Sequence, residues 1–369
     1  MSLTRTGAHS PYMEFAKLHS AAKYNLATSG VMPYPLSELP VRVEDLEING
    51  PTVYGYAPLV ERIAKLNGVL EENVVTATGT SLANHLAMAA MFEPGDEVLI
   101  EEPTYELLLS TAEFLGAKIR RFPRCFGGKF TVDPVQVRKA ITSRTRLIVL
   151  TNLHNPSSVQ LTDETLKEIG KAAESAGARV LVDEVYLESL WDKRPHPAIH
   201  LGNQFVVTSS LTKAYGLSGV RCGWILAERE LARQIWRIND LFGVNQAHPA
   251  ELISVVALDN LDGVAKRARS ILEENHRSLR TFLTSRDDLA VVSPGIGTTV
   301  FPKLLTGDVD EFDRFSRERY ETSIVPGKYF EEPQHFRIGL GGDPVMTREA
   351  LRRLGEALDS FREQKSTTA

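Results

Sequence analysis

The chain has 369 residues, of which 43% are apolar and 24% are charged, a composition typical of a globular protein large enough for two domains. Its net charge of −5 provides no basic surface for nucleic acid, which is therefore not an expected partner. Two cysteines, Cys125 and Cys222, are too few for a disulfide framework and favour a cytoplasmic protein. The sequence shows no apolar run of about 18 residues and no signal peptide, so no membrane association is expected.

Between about residues 50 and 250, short runs rich in β-branched residues alternate with amphipathic stretches of helical length. This alternation predicts an α/β fold in which helices flank a mostly parallel seven-stranded sheet. Strands are predicted at residues 73–78, 97–101, 118–123, 145–151, 179–183, 204–208 and 221–227. A helix predicted at residues 161–176 has the apolar stripe expected of a helix that covers a sheet.

The pattern changes from about residue 262, where a long charged helix precedes short strand-like runs. These runs lie at residues 289–293, 298–305 and 336–340. With a helix from Val309 and a final helix, they predict a smaller α+β domain. We expect both chain termini to form this domain. The predicted division is an N-terminal segment at 1–45, a large domain at 46–261 and a small domain at 262–369.

A lysine, Lys213, follows the buried strand predicted at residues 204–208. An ammonium group withdrawn from water loses solvation, which favours the neutral amine, a nucleophile that forms Schiff bases. Ser210 lies three residues before Lys213, and Arg221 lies eight residues after it. Amine, hydroxyl and guanidinium together suit an aldehyde that carries a phosphate, and pyridoxal 5′-phosphate (PLP) is such a molecule. Taken alone, a lysine near a strand end is more often a solvated surface group.

The run from Ser209 to Trp224 closely resembles the cofactor-lysine motif of class I/II aminotransferases of fold type I, the aspartate aminotransferase-like superfamily. Further motifs in family order extend this resemblance from about residue 25 to residue 360. The resemblance implies that PLP is held as a Schiff base on Lys213 within the large domain. It also implies catalytic roles for Lys213, Asp183 and Tyr186. The same scaffold hosts several reactions, so the resemblance is less specific for the reaction than for fold and cofactor.

A second motif, at residues 77–81, ends a predicted strand and opens a helix predicted at residues 82–92. Backbone N–H groups and hydroxyls at such a helix start can bind an anion, although a simple N-cap would also explain them. Together with the lysine motif, this segment predicts a phosphate site. The residues expected to hold the phosphate are Gly79, Thr80, Ser81, Ser210 and Arg221.

Four side chains are predicted to surround the cofactor ring. Asp183 ends an apolar strand, where a carboxylate is costly unless it pairs with a cation such as a protonated pyridine nitrogen. An aspartate that only caps the following segment would look the same. The resemblance places Tyr105 on the face of the ring, and Asn155 and Tyr186 at its 3′ oxygen. The loop departs from the family at Ser158, where glycine is usual, which leaves the loop geometry open.

The substrate carboxylate is the expected ligand of Arg337, in the strand predicted at residues 336–340. A planar guanidinium can hold a carboxylate through two parallel hydrogen bonds, although an exposed strand arginine would look identical in sequence. The resemblance assigns this role to Arg337. It adds Gly30, whose backbone would lie beside the carboxylate, and Asn155 as a further substrate-binding residue.

The resemblance also implies a homodimer whose subunits share their active sites. Family members often supply a tyrosine from the neighbouring subunit to the phosphate, and here either Tyr54 or Tyr56 could serve. Aspartate-specific relatives of one subgroup take a second arginine from that subunit, but residues 242–250 contain no arginine or lysine. A dicarboxylate substrate thus lacks its usual marker. Three other cations remain as substitutes, namely Arg5, Arg124 and Lys328.

The function predicted from these motifs is an aminotransferase that transfers an amino group between an L-amino acid and a 2-oxo acid through the Lys213 Schiff base. A carbon–sulfur β-lyase shares the first proton abstraction and is the alternative, together with an amino acid decarboxylase. A transcription regulator built on this fold would need a DNA-binding domain, for which about 45 residues before the core leave no room. No metal-ligand or nucleotide-binding spacing occurs in the sequence.

Overall fold

The architecture is α/β, as the alternating sequence pattern predicts. The structure is a computed structural model that describes residues 9–292 and 295–368. Its α-helices are α1 (Pro11–Leu18), α2 (Ala57–Asn67), α3 (Gly79–Met91), α4 (Glu106–Phe114), α5 (Pro134–Ala140), α6 (Asp163–Ser175), α7 (Arg229–Asn239), α8 (His248–Asp259), α9 (Leu261–Thr284), α10 (Val309–Tyr320) and α11 (Pro344–Thr368). Its strands are β1 (Tyr24–Asn25), β2 (Val74–Thr78), β3 (Glu97–Glu102), β4 (Lys118–Pro123), β5 (Thr145–Thr151), β6 (Arg179–Asp183), β7 (Phe205–Ser210), β8 (Cys222–Leu226), β9 (Leu289–Ala290), β10 (Thr299–Val300), β11 (Lys303–Leu304), β12 (Thr322–Ser323), β13 (Val325–Pro326) and β14 (Phe336–Gly339).

The large sheet has seven strands in the order β2-β8-β7-β6-β5-β3-β4. Strand β8 runs antiparallel to its neighbours β2 and β7, and the other pairs are parallel. The predicted fold class is therefore confirmed. Several element bounds differ from the prediction, and two of these differences concern the site or the small sheet. Helix α3 begins at Gly79 instead of residue 82, and the strand predicted at 298–305 is split into β10 and β11, because the intervening Pro302 has no N–H to donate to a ladder.

The central strands are buried on both faces, and β5 shows how. Leu147 and Val149 pack into one apolar cluster with α3, whereas Ile148 and Leu150 pack into another with α6. This alternation follows from the two-residue period of a strand, and helices on both faces make the whole run apolar. Each large aliphatic side chain buried in this way contributes roughly 1.5–3 kcal/mol. The polar residues that end these strands are consequently held on a rigid edge.

The two ends of the chain come together in a second assembly. Strand β1 pairs in parallel with β12, and a three-stranded sheet has the order β10-β14-β13. Leu26 and Val31 share one apolar cluster with residues of α9, α10 and α11. The domain boundaries at 45/46 and 261/262 stay a prediction. Among the helices of the described residues, none combines the length and the apolar character needed to cross a bilayer.

Candidate active site

A cavity of about 310 Å³ lies where β5, β6 and β7 end. Parallel strands bring their carboxyl ends to one edge, which is where ligands bind in open α/β sheets. The predicted site residues that line the cavity are Thr80, Ser81, Tyr105, Asn155, Asp183, Tyr186, Lys213 and Arg221. The predicted residues that lie directly behind the lining are Gly30, Gly79, Ser210 and Arg337.

One end of the cavity has the donors that a phosphate needs. Helix α3 begins there with Gly79, whose φ is +76°, and a Cβ at that position would lie 2.2 Å from Nη2 of Arg221. Only glycine therefore lets the guanidinium lie across the helix start. The Thr80 hydroxyl donates to Ser210 Oγ at 2.8 Å, and the buried Thr212 hydroxyl, which also lines the cavity, has no hydrogen-bond partner in the structure. A dianion would satisfy these groups together with the helix dipole.

The carboxylate of Asp183 lies at the middle of the cavity and is only 3% exposed. Asn84 Nδ2 donates to Asp183 Oδ2 at 2.8 Å, and the Val185 backbone N–H donates to the other oxygen at 3.1 Å. Burial raises the pKa of Asp183 to about 6, although both hydrogen bonds and the nearby Lys213 oppose this rise. A buried carboxylate of this kind is completed by a cationic ligand atom, and the protonated pyridine nitrogen of PLP is one.

The amine of Lys213 is held by a small hydroxyl network. Its Nζ donates to Ser29 Oγ at 3.1 Å, and the Tyr186 hydroxyl donates to the same oxygen at 2.9 Å. Gly30 lies against the lysine, since a Cβ at this position would be 3.3 Å from Lys213 Cδ. The network holds the amine on the cavity that Asp183 also lines.

Arg337 extends from β14 to the back of the cavity wall and is fully buried. Its Nη1 donates to Asn155 Oδ1 at 3.0 Å, its Nη2 donates to the Tyr12 hydroxyl at 2.7 Å, and its Nε has no partner in the structure. Burial alone would raise the pKa of Tyr12, but the positive charges of Arg337 and Lys213 outweigh it and hold this pKa below its usual value. The guanidinium is therefore a buried cation held by neutral groups directly behind the lining residues Tyr12 and Asn155, and a buried cation of this kind suits a carboxylate.

The tyrosine pair lies elsewhere in this single chain. The Tyr54 hydroxyl donates to Asp240 Oδ2 at 2.9 Å, and the Tyr56 ring packs edge-on against His248. Neither residue lines the cavity described above. The expectation that Tyr54 or Tyr56 reaches the phosphate of a neighbouring subunit stays a prediction.

The lining residues that the sequence analysis did not identify include four that hydrogen-bond or face the groups described above: Tyr12, Ser29, Asn84 and Thr212. Asn84 had a signal, because a buried amide interrupts the apolar face of α3. Thr212 also had one, since it directly precedes the lysine. Tyr12 and Ser29 come from the N-terminal segment, and no local pattern connects them with Lys213 or Arg337.

A buried carboxylate, a lysine amine and a phosphate cradle on one α/β sheet edge define a PLP-dependent enzyme of fold type I. Residues 47–354 match the family described as aminotransferase class I and II, and the chain belongs to this family. Its cofactor is PLP. The predicted family and cofactor are thus confirmed.

The proteins similar to this chain include relatives whose names give different activities. Capreomycidine synthase from Streptomyces vinaceus is 28% identical, over 91% of this chain and 90% of its own length. Aspartate aminotransferase from Pyrococcus horikoshii is 25% identical, over 82% and 80% respectively. The crystal structure of a PLP-dependent aminotransferase from Streptococcus suis 89-1591 superposes with a TM-score of 0.90 at 25% identity, over 98% of this chain and 99% of that one.

Proposed function

We propose that this enzyme transfers an amino group between an L-amino acid and a 2-oxo acid. The observation that carries the proposal is the placement of the Lys213 amine on one cavity with the Arg337–Asn155 pair and with Asp183. A base must lie close to the α-carbon while the carboxylate beside that carbon is held, and this arrangement provides both groups.

The residues present fit PLP. Thr80, Ser81, Thr212 and Arg221 would hold its phosphate, and Asp183 would face its ring nitrogen. When bound, PLP supplies an aldehyde that condenses with amines and a ring that withdraws electrons from the substrate α-carbon.

Lys213 Nζ acts as the general base that takes the proton from the substrate α-carbon, and as the acid that later delivers it. Ser29 and Tyr186 orient this amine through their hydroxyls. Arg337 holds the α-carboxylate, with Asn155 fixing one edge of its guanidinium. The burial of Asp183 strengthens every charge interaction in the cavity, because little water screens it.

The reaction is tested by mixing the PLP-loaded protein with an amino acid alone and following the cofactor absorbance. Transamination converts the cofactor to its pyridoxamine form, and a 2-oxo acid then restores the original spectrum. A borohydride trap on wild type and Lys213→Ala checks the lysine. Lys171→Ala, at an exposed lysine paired with Glu168, is the matched control and is expected to keep the trapped cofactor.

Other reaction classes have distinct products in the same experiment. Pyruvate and ammonia from a cysteine-type substrate, without any pyridoxamine form, would establish a β-lyase, and carbon dioxide would establish a decarboxylase. The similarity to capreomycidine synthase adds a synthase reaction to these alternatives. A product that keeps the amino group of the substrate, formed without a 2-oxo acid and without any pyridoxamine form, would reveal it.

The proposal includes a homodimer. Large apolar side chains are exposed on two segments that meet at the Tyr54–Asp240 hydrogen bond: Ile48 is 83% exposed, Leu241 79% and Phe242 55%. A second copy would remove this apolar surface from water and bring Tyr54 to a neighbouring site. We also place the protein in the cytoplasm, where the free and exposed thiol of Cys125 is stable.

A further inference from the structure

One wall of the active-site cavity is formed by helix α1. Tyr12, Met13 and Ala16 face the cavity, and Ser20 follows just beyond the helix. Their spacing places Tyr12 and Ala16 one turn apart on the same helix face, with Met13 beside them.

Polar contacts hold this helix against the cavity. Ser10 caps its N-terminus by accepting a hydrogen bond from the Met13 N–H at 3.1 Å, and the Ser10 hydroxyl donates to Glu106 on α4. The Tyr12 hydroxyl accepts from Arg337, and the Tyr105 hydroxyl lies 3.7 Å from Met13 Sδ. Helix α1 is thereby attached to the group that binds the substrate carboxylate and to the aromatic ring beside the cofactor.

Most of the other lining residues have roles proposed above toward PLP or the substrate carboxylate. One group serves the phosphate, a second surrounds the ring, and Asn155 with Arg337 serves the carboxylate. The wall that remains consists of the α1 face together with Ala27, Thr28 and Ser29. Because Ser29 bonds the Lys213 amine, this wall borders the reacting carbon. The side chain of the substrate is left to face it.

This wall has no charged side chain among the lining residues that the structure describes. The charged residues that line the cavity as a whole are Asp183, Lys213 and Arg221, and each has a proposed role away from this wall. An ionised side chain buried against such a wall would lose hydration without gaining a partner.

Two of the substitute cations considered from the sequence, Arg124 and Lys328, do not line this wall. Arg124 is fully buried, pairs with Glu101 at 2.7 Å and donates to three backbone carbonyls, so the suggestion that it binds a substrate carboxylate is wrong. Lys328 pairs with Asp310 at 2.9 Å and does not line the cavity. Arg5 lies outside the described residues.

Resting on the transaminase function proposed above, we infer that the amino-acid substrate has an uncharged side chain, and that Met13 and Ala16 contact it and set its size. The long, unbranched Met13 side chain can adapt to different apolar groups. The small side chain of Ala16, on the same helix face, leaves space in the cavity for the substrate side chain.

The substrate class is tested with the PLP-loaded wild type in single-turnover half-reactions. Leucine, methionine and glutamine are compared with aspartate, glutamate and arginine. We expect the apparent second-order rate constant of the half-reaction to be at least about tenfold higher for the best uncharged amino acid than for every charged one. Aspartate or arginine reacting as fast as leucine would overturn the substrate class while leaving the transaminase proposal intact. Failure of all amino acids to convert the cofactor would instead overturn both.

The contact itself is tested by Met13→Arg, with Met13→Gln as a matched uncharged control. A guanidinium on this wall should raise the aspartate-to-leucine ratio at least about tenfold above the ratio of the control. An equal ratio in both variants, each with normal cofactor occupancy, would place Met13 away from the substrate. If Met13→Arg does not fold, Ala16→Leu provides the second test. It should lower the rate with leucine relative to alanine by about tenfold, and an unchanged ratio would overturn the placement of α1.

Discussion

Arg337 Nη1 donates to Asn155 Oδ1 across 3.0 Å and so joins β14 to the loop that follows β5. The two residues are separated by 182 positions in the chain. The bond aligns the guanidinium on one side of the cavity, while the Tyr12 hydroxyl accepts from its other nitrogen. These bonds give the guanidinium one fixed position behind the part of the cavity wall that Asn155 and Tyr12 form.

Arg337→Lys keeps the charge and removes the planar pair of donors. We expect the KM values for both the amino acid and the 2-oxo acid to rise by about tenfold or more, because each substrate carries a carboxylate beside its reacting carbon. PLP affinity, measured by fluorescence titration, should stay within about twofold of wild type. A large loss of PLP affinity with unchanged KM values would contradict the assignment.

Thr151 connects a buried ion pair to the loop that contains Asn155. Its hydroxyl donates to Glu101 at 2.7 Å and accepts from the Asn155 N–H at 3.1 Å, and Glu101 is paired with Arg124. Thr151→Val should therefore lower the free energy of unfolding by about 1–3 kcal/mol and raise the KM for the amino acid. Thr151→Ser keeps the hydroxyl and is the control. Denaturant unfolding and steady-state kinetics measure the two effects, and equal behaviour of the two variants would exclude a role for the hydroxyl.

Cofactor binding should depend on the ionisation of Asp183. Burial raises its pKa to about 6, so the carboxylate is charged above this pH and becomes neutral as the pH falls through it. Only the charged form attracts a protonated ring nitrogen, and PLP affinity is therefore expected to fall as the pH drops through about 6. Asp183→Asn should lose this dependence and retain only that of the PLP phosphate. Parallel pH profiles of the dissociation constant in both proteins would argue against the pairing.

Arg221 should matter for the phosphate more than for the reaction. Arg221→Met removes a charge-assisted donor at the start of α3, and we expect the dissociation constant of PLP to rise by about tenfold or more. Thr212→Val, which removes the hydroxyl without a partner, should give a smaller loss in the same direction. Equilibrium dialysis measures both. A wild-type affinity for PLP in Arg221→Met would show that this residue does not bind the phosphate.

The dimer proposal is checked by sedimentation velocity. Leu241→Asp places a charge on the exposed apolar segment and should shift the protein toward monomer. If Tyr54 of a second copy reaches the phosphate, the same variant should also bind PLP more weakly. Val135→Asp, at an apolar residue on α5 that is 46% exposed, is the control and should leave the dimer intact. A wild-type protein that sediments as an active monomer would contradict the proposal.

The sequence by itself determined the fold class, the cofactor and several of the polar residues that line the cavity. Asp183 ends an apolar strand, and Lys213 and Asn155 lie in the short loops just beyond two others, so a local pattern reveals both the strand and the polar group near its end. Arg221 and the start of α3 belong to similarly short motifs. Because parallel strands end at one edge of a sheet, these separate motifs could be placed together without knowing their contacts.

Only the tertiary structure decided which groups complete the site. Tyr12 meets Arg337 across 325 positions, and Ser29 meets Lys213 across 184. Such contacts depend on how the N-terminal segment packs against β14 and the large sheet, and neither hydrophobic period nor propensity encodes that packing. Arg124 shows the same limit, because an arginine free to bind substrate and an arginine buried in an ion pair are identical in sequence. Burial and partners distinguish them, and both are properties of the folded chain.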